Sequence, residues 1–177
     1  GKAAEESVYM QQDLLTSLKE LFNNAKDLTA AIQKTIEENS GLKAQVEDFD
    51  KQKLQQIKAS LLKRAEDING IKVIKSVLPT GISPDAVKDL AFQVSGQLPE
   101  KMLCVLGSSY EGKPLLTVMI SKDLVKNNAL NAGQMVREAA KLIQGGGGGA
   151  PHFATAGGKD VNGLEAAVEK VLELADL

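Results

Sequence analysis

The chain has 177 residues, with 21 Lys+Arg against 23 Asp+Glu and a formal net charge of −2, so it does not grip nucleic acid by bulk positive charge, although a local basic face stays open. One cysteine, Cys104, and one histidine, His152, exclude an intrachain disulfide and a tetrahedral zinc site built from the Cys and His of one chain. With no Trp and 3% aromatic residues any core is aliphatic, no apolar run reaches the roughly 20 residues of a membrane span, and no stretch reads as a secretory leader.

Composition changes near residue 68. Residues 1–68 hold no Pro and, beyond Gly1, only Gly41; the rest holds every Pro and all other glycines. The expected architecture is α/β: a long coiled-coil-like helical segment over 1–68, then a small mixed α/β sheet domain over 69–177. The chain opens Gly1-Lys2-Ala3-Ala4, without Met and within what reads as helix, and so reads as a piece of a longer protein.

In the first part Leu14, Leu18, Leu21, Ala25, Leu28, Ile32, Thr35, Asn39, Leu42, Val46 and Phe49 follow a four-three alternation. That is a heptad seam, and the residues between carry a charged outer face. After Phe49 the register slips by one, and Leu54, Ile57, Leu61, Ala65 and Ile68 continue it. Such a slip marks local unwinding or a change of partner. Asn39 lies on the seam, where a buried Asn fixes register, while Asn39-Ser40-Gly41 also reads as a helix stop and restart, that is, as a hairpin. Because the seam keeps its phase across Gly41, one helix over 5–67 is expected, roughly 95 Å long at about 1.5 Å per residue. Its stripe needs a second helix, most simply from another copy of the chain. The expected dimer seam is Leu14, Leu18, Leu21, Leu28, Ile32, Leu42, Val46 and Phe49.

The second part alternates. A strand is predicted from Ile71 to Val77, with Ile71, Val73 and Val77 on one face. Ser83-Pro84-Asp85 opens a helix with a capping hydroxyl, a first-position Pro and an acid for the dipole; Val87, Leu90, Ala91, Val94 and Leu98 form its apolar stripe and Pro99 ends it. Met102–Leu106 is a continuous apolar run, as in a central strand. Glu111-Gly112-Lys113 turns the chain into a strand over Leu115–Ile120, an antiparallel hairpin. Helices follow over 131–144, with Met135, Val136, Ala139, Leu142 and Ile143 inward, and around Leu164–Ala175.

Between those helices lies a glycine-rich loop over 145–158. Flexible linker is one reading. The other is a backbone cradle, in which glycines let a ligand approach the main chain and turn N–H groups towards phosphate oxygens. The apolar stretch Phe153-Ala154-Thr155-Ala156 and the two flanking amphipathic helices speak against slack chain. No Lys-Ser/Thr pair follows the glycines, so the Walker pattern is absent. His152 is open between phosphate contact, base-stacking ring and turn residue. The candidate RNA-binding set is Gly145, Gly146, Gly147, Gly148, Gly149, His152, Lys122, Arg137, Lys141 and Lys159. Cys104 reads as packing. No nucleophile–base set is visible, so no catalytic residue and no metal ligand is expected.

The run Asn131-Ala132-Gly133-Gln134-Met135-Val136-Arg137-Glu138-Ala139-Ala140-Lys141, the glycines and Phe153-Ala154-Thr155-Ala156-Gly157-Gly158 resemble the C-terminal end of the bacterial alanyl-tRNA synthetases. The stretch from Ile71 to Asn128 and the heptads with Glu37-Glu38-Asn39 resemble the same region, so the resemblance spans the chain. It implies a cytoplasmic parent, an alanine–tRNA ligase using ATP, magnesium and zinc in other domains. It implies that this part is non-catalytic and holds no cofactor. Its globular part would bind the outer corner of tRNA(Ala), where the D and T loops meet, and its helical part would support dimerisation and cooperation between aminoacylation and editing. The implied partners are tRNA(Ala), a second copy and the remaining synthetase domains; no membrane is implied. Family members commonly carry a basic residue, an acid and Gln where this chain has Ala150, His152 and Thr155, so here backbone N–H groups, His152 and nearby lysines would meet the RNA. The globular module is also similar to the C-terminal substrate domain of DHH-type phosphoesterases, whose Gly-Gly-His contacts a nucleotide phosphate; His152, Ala156 and Gly157 have similar spacing, with Ala150-Pro151 between Gly and His. The alternatives are thus the substrate module of such an enzyme, or a purely structural oligomerisation module.

Overall fold

A computed structural model describes residues 1–176, apart from the side chains of residues 3 and 4. The chain divides into two compact units, Gly1–Gln52 and Lys53–Leu177. The division falls well before residue 68, for a reason that lies in the register slip.

The first unit holds α1 (Lys2–Leu21) and the first part of α2 (Leu28–Lys63). The expected single helix over 5–67 is therefore interrupted. Asn23 and Asn24 both take left-handed backbone, with φ of 55° and 56°, a conformation that a short polar side chain tolerates better than a branched one. Asp27 then restarts the helix, its Oδ1 accepting the Ala30 N–H at 2.9 Å in N-cap fashion. The hairpin at residues 39–41 does not form: α2 runs through Asn39-Ser40-Gly41. Of the seam residues from Leu14 to Phe49, Leu18, Ala25, Leu28 and Ile32 are half-buried and the rest are exposed, Leu21 by 77% and Phe49 by 68%.

Past the slip the same helix behaves differently. Leu61 is buried, and Leu54, Ile57, Leu62 and Ala65 pack against the core of the second unit. The slip thus marks a change of partner, from an open strip to the chain's own sheet domain. Helix α2 ends at Lys63, and Glu66–Ile68, read from sequence as helix, is instead strand β1. Asn69-Gly70 turns it into β2 (Ile71–Val77) with φ of 53° and 82°, as a tight hairpin of twisted strands requires.

The sheet continues through α3 (Pro84–Gln97), β3 (Met102–Tyr110), β4 (Lys113–Ile120), α4 (Lys122–Asn127), α5 (Ala132–Ala139), β5 (Gly146–Ala150), β6 (Phe153–Gly157) and α6 (Leu164–Ala175). The spatial order is β1-β2-β3-β4-β6-β5. The β2–β3 pair, bridged by α3, is parallel and the other pairs are antiparallel. The expected β3–β4 hairpin is present, with Glu111 and Gly112 both at positive φ. Ser83 caps α3, accepting the Ala86 N–H, with Pro84 at the first turn.

Strand alternation sorts the core into two layers. Val73, Leu103, Val105, Leu116, Val118 and Ile120 face α5 and α6. Ile74, Met102, Cys104, Leu106 and Met119 face α3 and the end of α2. Residues 102–109 are buried throughout, as a strand covered on both sides must be. Burial pushes the Cys104 thiol up to about 12, so it packs as an apolar group. Val77 shares its face with Ile71 and Val73 but is 42% exposed at the strand end.

Candidate functional site

The predicted loop over 145–158 is two strands. Gly146–Ala150 forms β5, the edge of the sheet, and pairs antiparallel with β6 across the two-residue turn Pro151-His152. Backbone bonds pin the hairpin at both ends. The Gly145 N–H donates to Ala140 O at 2.9 Å, the Ala132 N–H to Pro151 O at 2.9 Å and the Ile120 N–H to His152 O at 2.8 Å. The segment is therefore ordered, and four of the five residues of β5 are exposed.

Its glycines divide by parity. A Cβ on Gly145 would run into Gly157 O, one on Gly147 into Thr155 O and Ala156, and one on Gly149 would stand 2.5 Å from Phe153 O. These glycines are demanded by the close passage of β5 over β6. Gly146 has nothing within 4 Å of its ideal Cβ, and Gly148 meets only the tip of Arg137, its Nη2 at 3.5 Å. Packing therefore does not explain these two glycines. They leave a strip of bare main chain at the surface, where N–H groups of an edge strand face solvent.

Sequence reasoning passed over Gly133. A Cβ there would stand 2.7 Å from Gly149 O, so a small residue on buried α5 lets the helix lie on the glycine strand. Asn131 starts that helix, accepting the Gln134 N–H at 3.1 Å. The predicted helix over 131–144 is α5 followed by a 3-10 turn at Ala140–Ile143, which delivers the chain tightly into β5.

The predicted cations differ in their surroundings. Arg137 lies on α5 with its guanidinium beside Gly148. Lys122 opens α4, two residues beyond Ile120, whose N–H holds the hairpin turn. Lys159 follows β6, its own N–H donating to Ile143 O at 2.9 Å. Lys141 is paired with Glu138, and that pairing holds the Glu138 carboxyl below its usual range; Glu169, Glu173 and Lys170 line the same groove. Among the described residues Arg137, Lys122 and Lys159 form no ion pair. Arg137 is thus a cation set against the bare strand, while Lys141 pairs with Glu138. His152 is half-buried in the turn. Asp160 does not open α6; its carboxylate caps a 3-10 turn by accepting the Asn162 N–H at 3.0 Å. Among the described residues no group of three or more His, Cys, Asp or Glu is placed to hold a metal ion, and no helix is long and apolar enough to cross a membrane.

Over its whole length the chain is 57% identical to the alanine–tRNA ligase of Bacteroides fragilis, 55% to that of Bacteroides thetaiotaomicron and 42% to that of Porphyromonas gingivalis. It covers 20% of each, so it spans about one fifth of the length of the curated relatives it matches. Among solved structures it is similar to the C-Ala domain from Aquifex aeolicus alanyl-tRNA synthetase, with a TM-score of 0.57 and 24% identity over 64% of this chain and 99% of that one. It is also similar to a DHH domain described as a member of the s1p family of ribosomal proteins, with a TM-score of 0.51 and 15% identity over 85% of this chain and 36% of that one. These two likenesses are of fold. The DHHA1 domain matches residues 70–176, which takes in β2 through α6 and the glycine hairpin, and the chain belongs to the DHHA1 domain family.

Proposed function

We propose that this chain is the C-terminal, non-catalytic part of an alanine–tRNA ligase, that its glycine strand meets the elbow of tRNA(Ala), and that its helical unit joins two copies. Aminoacylation and editing, with their ATP, magnesium and zinc, belong on this reading to the remaining domains. The observation that carries it is an ordered, solvent-facing strand of bare main chain in a chain similar along its whole length to alanine–tRNA ligases. Backbone N–H groups suit a sugar–phosphate surface recognised by shape, because they read position and not sequence. Arg137 adds one phosphate-directed cation, in keeping with a net charge of −2 that rules out bulk attraction. The exposed seam of Leu14, Leu21, Leu42, Val46 and Phe49 gives the helical unit a reason to pair with another copy.

The test is a filter-binding titration of the chain with a tRNA(Ala) transcript and with plain duplex RNA of equal length, at several salt concentrations. The expected result is tighter binding to tRNA, weakening as salt rises, with Arg137→Gln lowering the slope of log K against log salt by about one contact, roughly 0.7–0.9. Equal affinity for both RNAs would sink the tRNA reading.

A further inference from the structure

The sheet face that carries α3 has a ledge where the side of the helix meets β6. Phe153 and Thr155 point to this face: they lie opposite Met119 and Thr117 in the β4–β6 register, and Met119 and Phe153 belong to the α3-side core. On the ledge the ring of Phe92, from α3, lies against that of Phe153, with centroids 5.1 Å apart and planes tilted by 38°. Phe92 is 45% exposed, and Phe153 and Thr155 are half-buried. The second unit contains just one further aromatic residue, Tyr110. Opposite Thr155 in the same register, the Thr117 hydroxyl is buried with no hydrogen-bond partner among the described residues. The ledge adjoins the glycine hairpin directly, since Phe153 pairs with Ala150 and follows His152. Gln93, next to Phe92 along α3, accepts a hydrogen bond at 3.1 Å from Nζ of Lys58 on α2, and Lys88 lies one turn before Phe92; Asp89 is the opposing acid.

We propose that Phe92, seated on Phe153, is a stacking platform for a nucleobase exposed on folded RNA. The inference rests on the tRNA reading above and adds to it a base-directed contact where that reading has only main chain and phosphate. A phenyl ring half in water offers a flat π-surface and no polar tip. Bases stack on such rings without regard to sequence, and the neighbouring ammonium groups favour the adjoining phosphates. The edge strand then presents backbone and the α3 face of the same hairpin presents a base plane, which suits a corner of RNA better than a uniform duplex.

The experiment uses the full chain and a tRNA(Ala) transcript. Phe92→Leu keeps apolar cover over Phe153 and removes the π-surface. It is expected to weaken binding about tenfold, within the range for loss of one base–aromatic stack, while leaving the salt slope unchanged because no phosphate contact is lost. Phe92→Trp restores affinity. Because the chain has no Trp, this variant also supplies a single fluorophore, whose emission is expected to quench when tRNA is added. Wild-type affinity in Phe92→Leu, a reduced salt slope, or unquenched Trp emission at saturating tRNA would each overturn the inference while leaving the tRNA reading intact. Failure of the unaltered chain to prefer tRNA over duplex overturns both.

Discussion

The two units draw on similar aliphatic residues and treat them in opposite ways. In the sheet unit Leu103, Leu106, Val105 and Val118 are fully buried, while in the helical unit Leu42, Val46 and Phe49 are 60% or more exposed. The difference is one of closure. A six-stranded sheet with helices on both faces completes its own core, whereas the stretch of α2 from Leu42 to Phe49 has no second surface within its unit on which to set its stripe. The register slip after Phe49 marks the change of regime along α2, because Leu54 onward finds partners within the chain.

The sharpest way to break this comparison is to charge the open strip. Leu42→Lys, at a position 61% exposed, is expected to abolish self-association by placing an unpaired charge in the helix interface; sedimentation equilibrium reads this as a fall to monomer mass, and an unchanged mass would leave the seam without its proposed partner. Leu42 is a cleaner probe than Leu28, which is already half-buried in its own chain. Inside the sheet unit Leu103→Ala is expected to cost about 2–5 kcal/mol, transfer plus cavity, whether or not the chain associates. Urea melts at two protein concentrations separate the cases, since only an associated species shows a concentration-dependent midpoint.

Glycine parity supplies a contrast of intermediate size. Gly147→Ala is expected to destabilise by about 1–3 kcal/mol as the strand is forced off β6, and Gly146→Ala to leave the melting temperature nearly unchanged, because its Cβ meets nothing. If both variants melt alike, the division into structural and bare glycines is wrong.

The smallest expected effect is electrostatic. The hydrogen bond from Lys72, then that from the Gly70 N–H, holds the Asp67 carboxyl below its usual range, with the Lys72 Nζ at 3.0 Å. A carboxyl depressed on folding contributes stability that is present above the ordinary carboxylate range and lost as pH falls through the folded value. Asp67→Asn is therefore expected to lower the melting temperature slightly at neutral pH, with the gap closing below about pH 4. A gap that persists into acid would point to the hairpin geometry and not to the charge.

Much of this was legible along the chain. The capping triplet Ser83-Pro84-Asp85, the apolar run of β3 and the Glu111-Gly112 turn are local signals, and each element formed where its signal lay. The heptad seam and its slip were also visible, but the break at Asn23-Asn24 was not, because Phe22-Asn23-Asn24-Ala25 leaves the four-three spacing undisturbed while the backbone turns. Residues 66–68 continued the helical spacing too, and Asn69-Gly70 was the overlooked hairpin signal. The glycine segment carried the least local information. A run without side chains has no periodicity, so it read equally as linker or cradle.

The sequence by itself determined where apolar surface recurs, at a period near 3.5 in the first unit and alternating or continuous in the second, because side-chain direction follows from backbone geometry alone. It did not determine what that surface meets. Only the tertiary structure decided that the glycines form an edge strand, that alternate ones are pressed against β6, that Arg137 and not Lys141 stands over them, and that Phe92 meets Phe153 across α3 and β6. Those outcomes depend on close approach between segments far apart in the chain, and a local pattern cannot encode the distance between them.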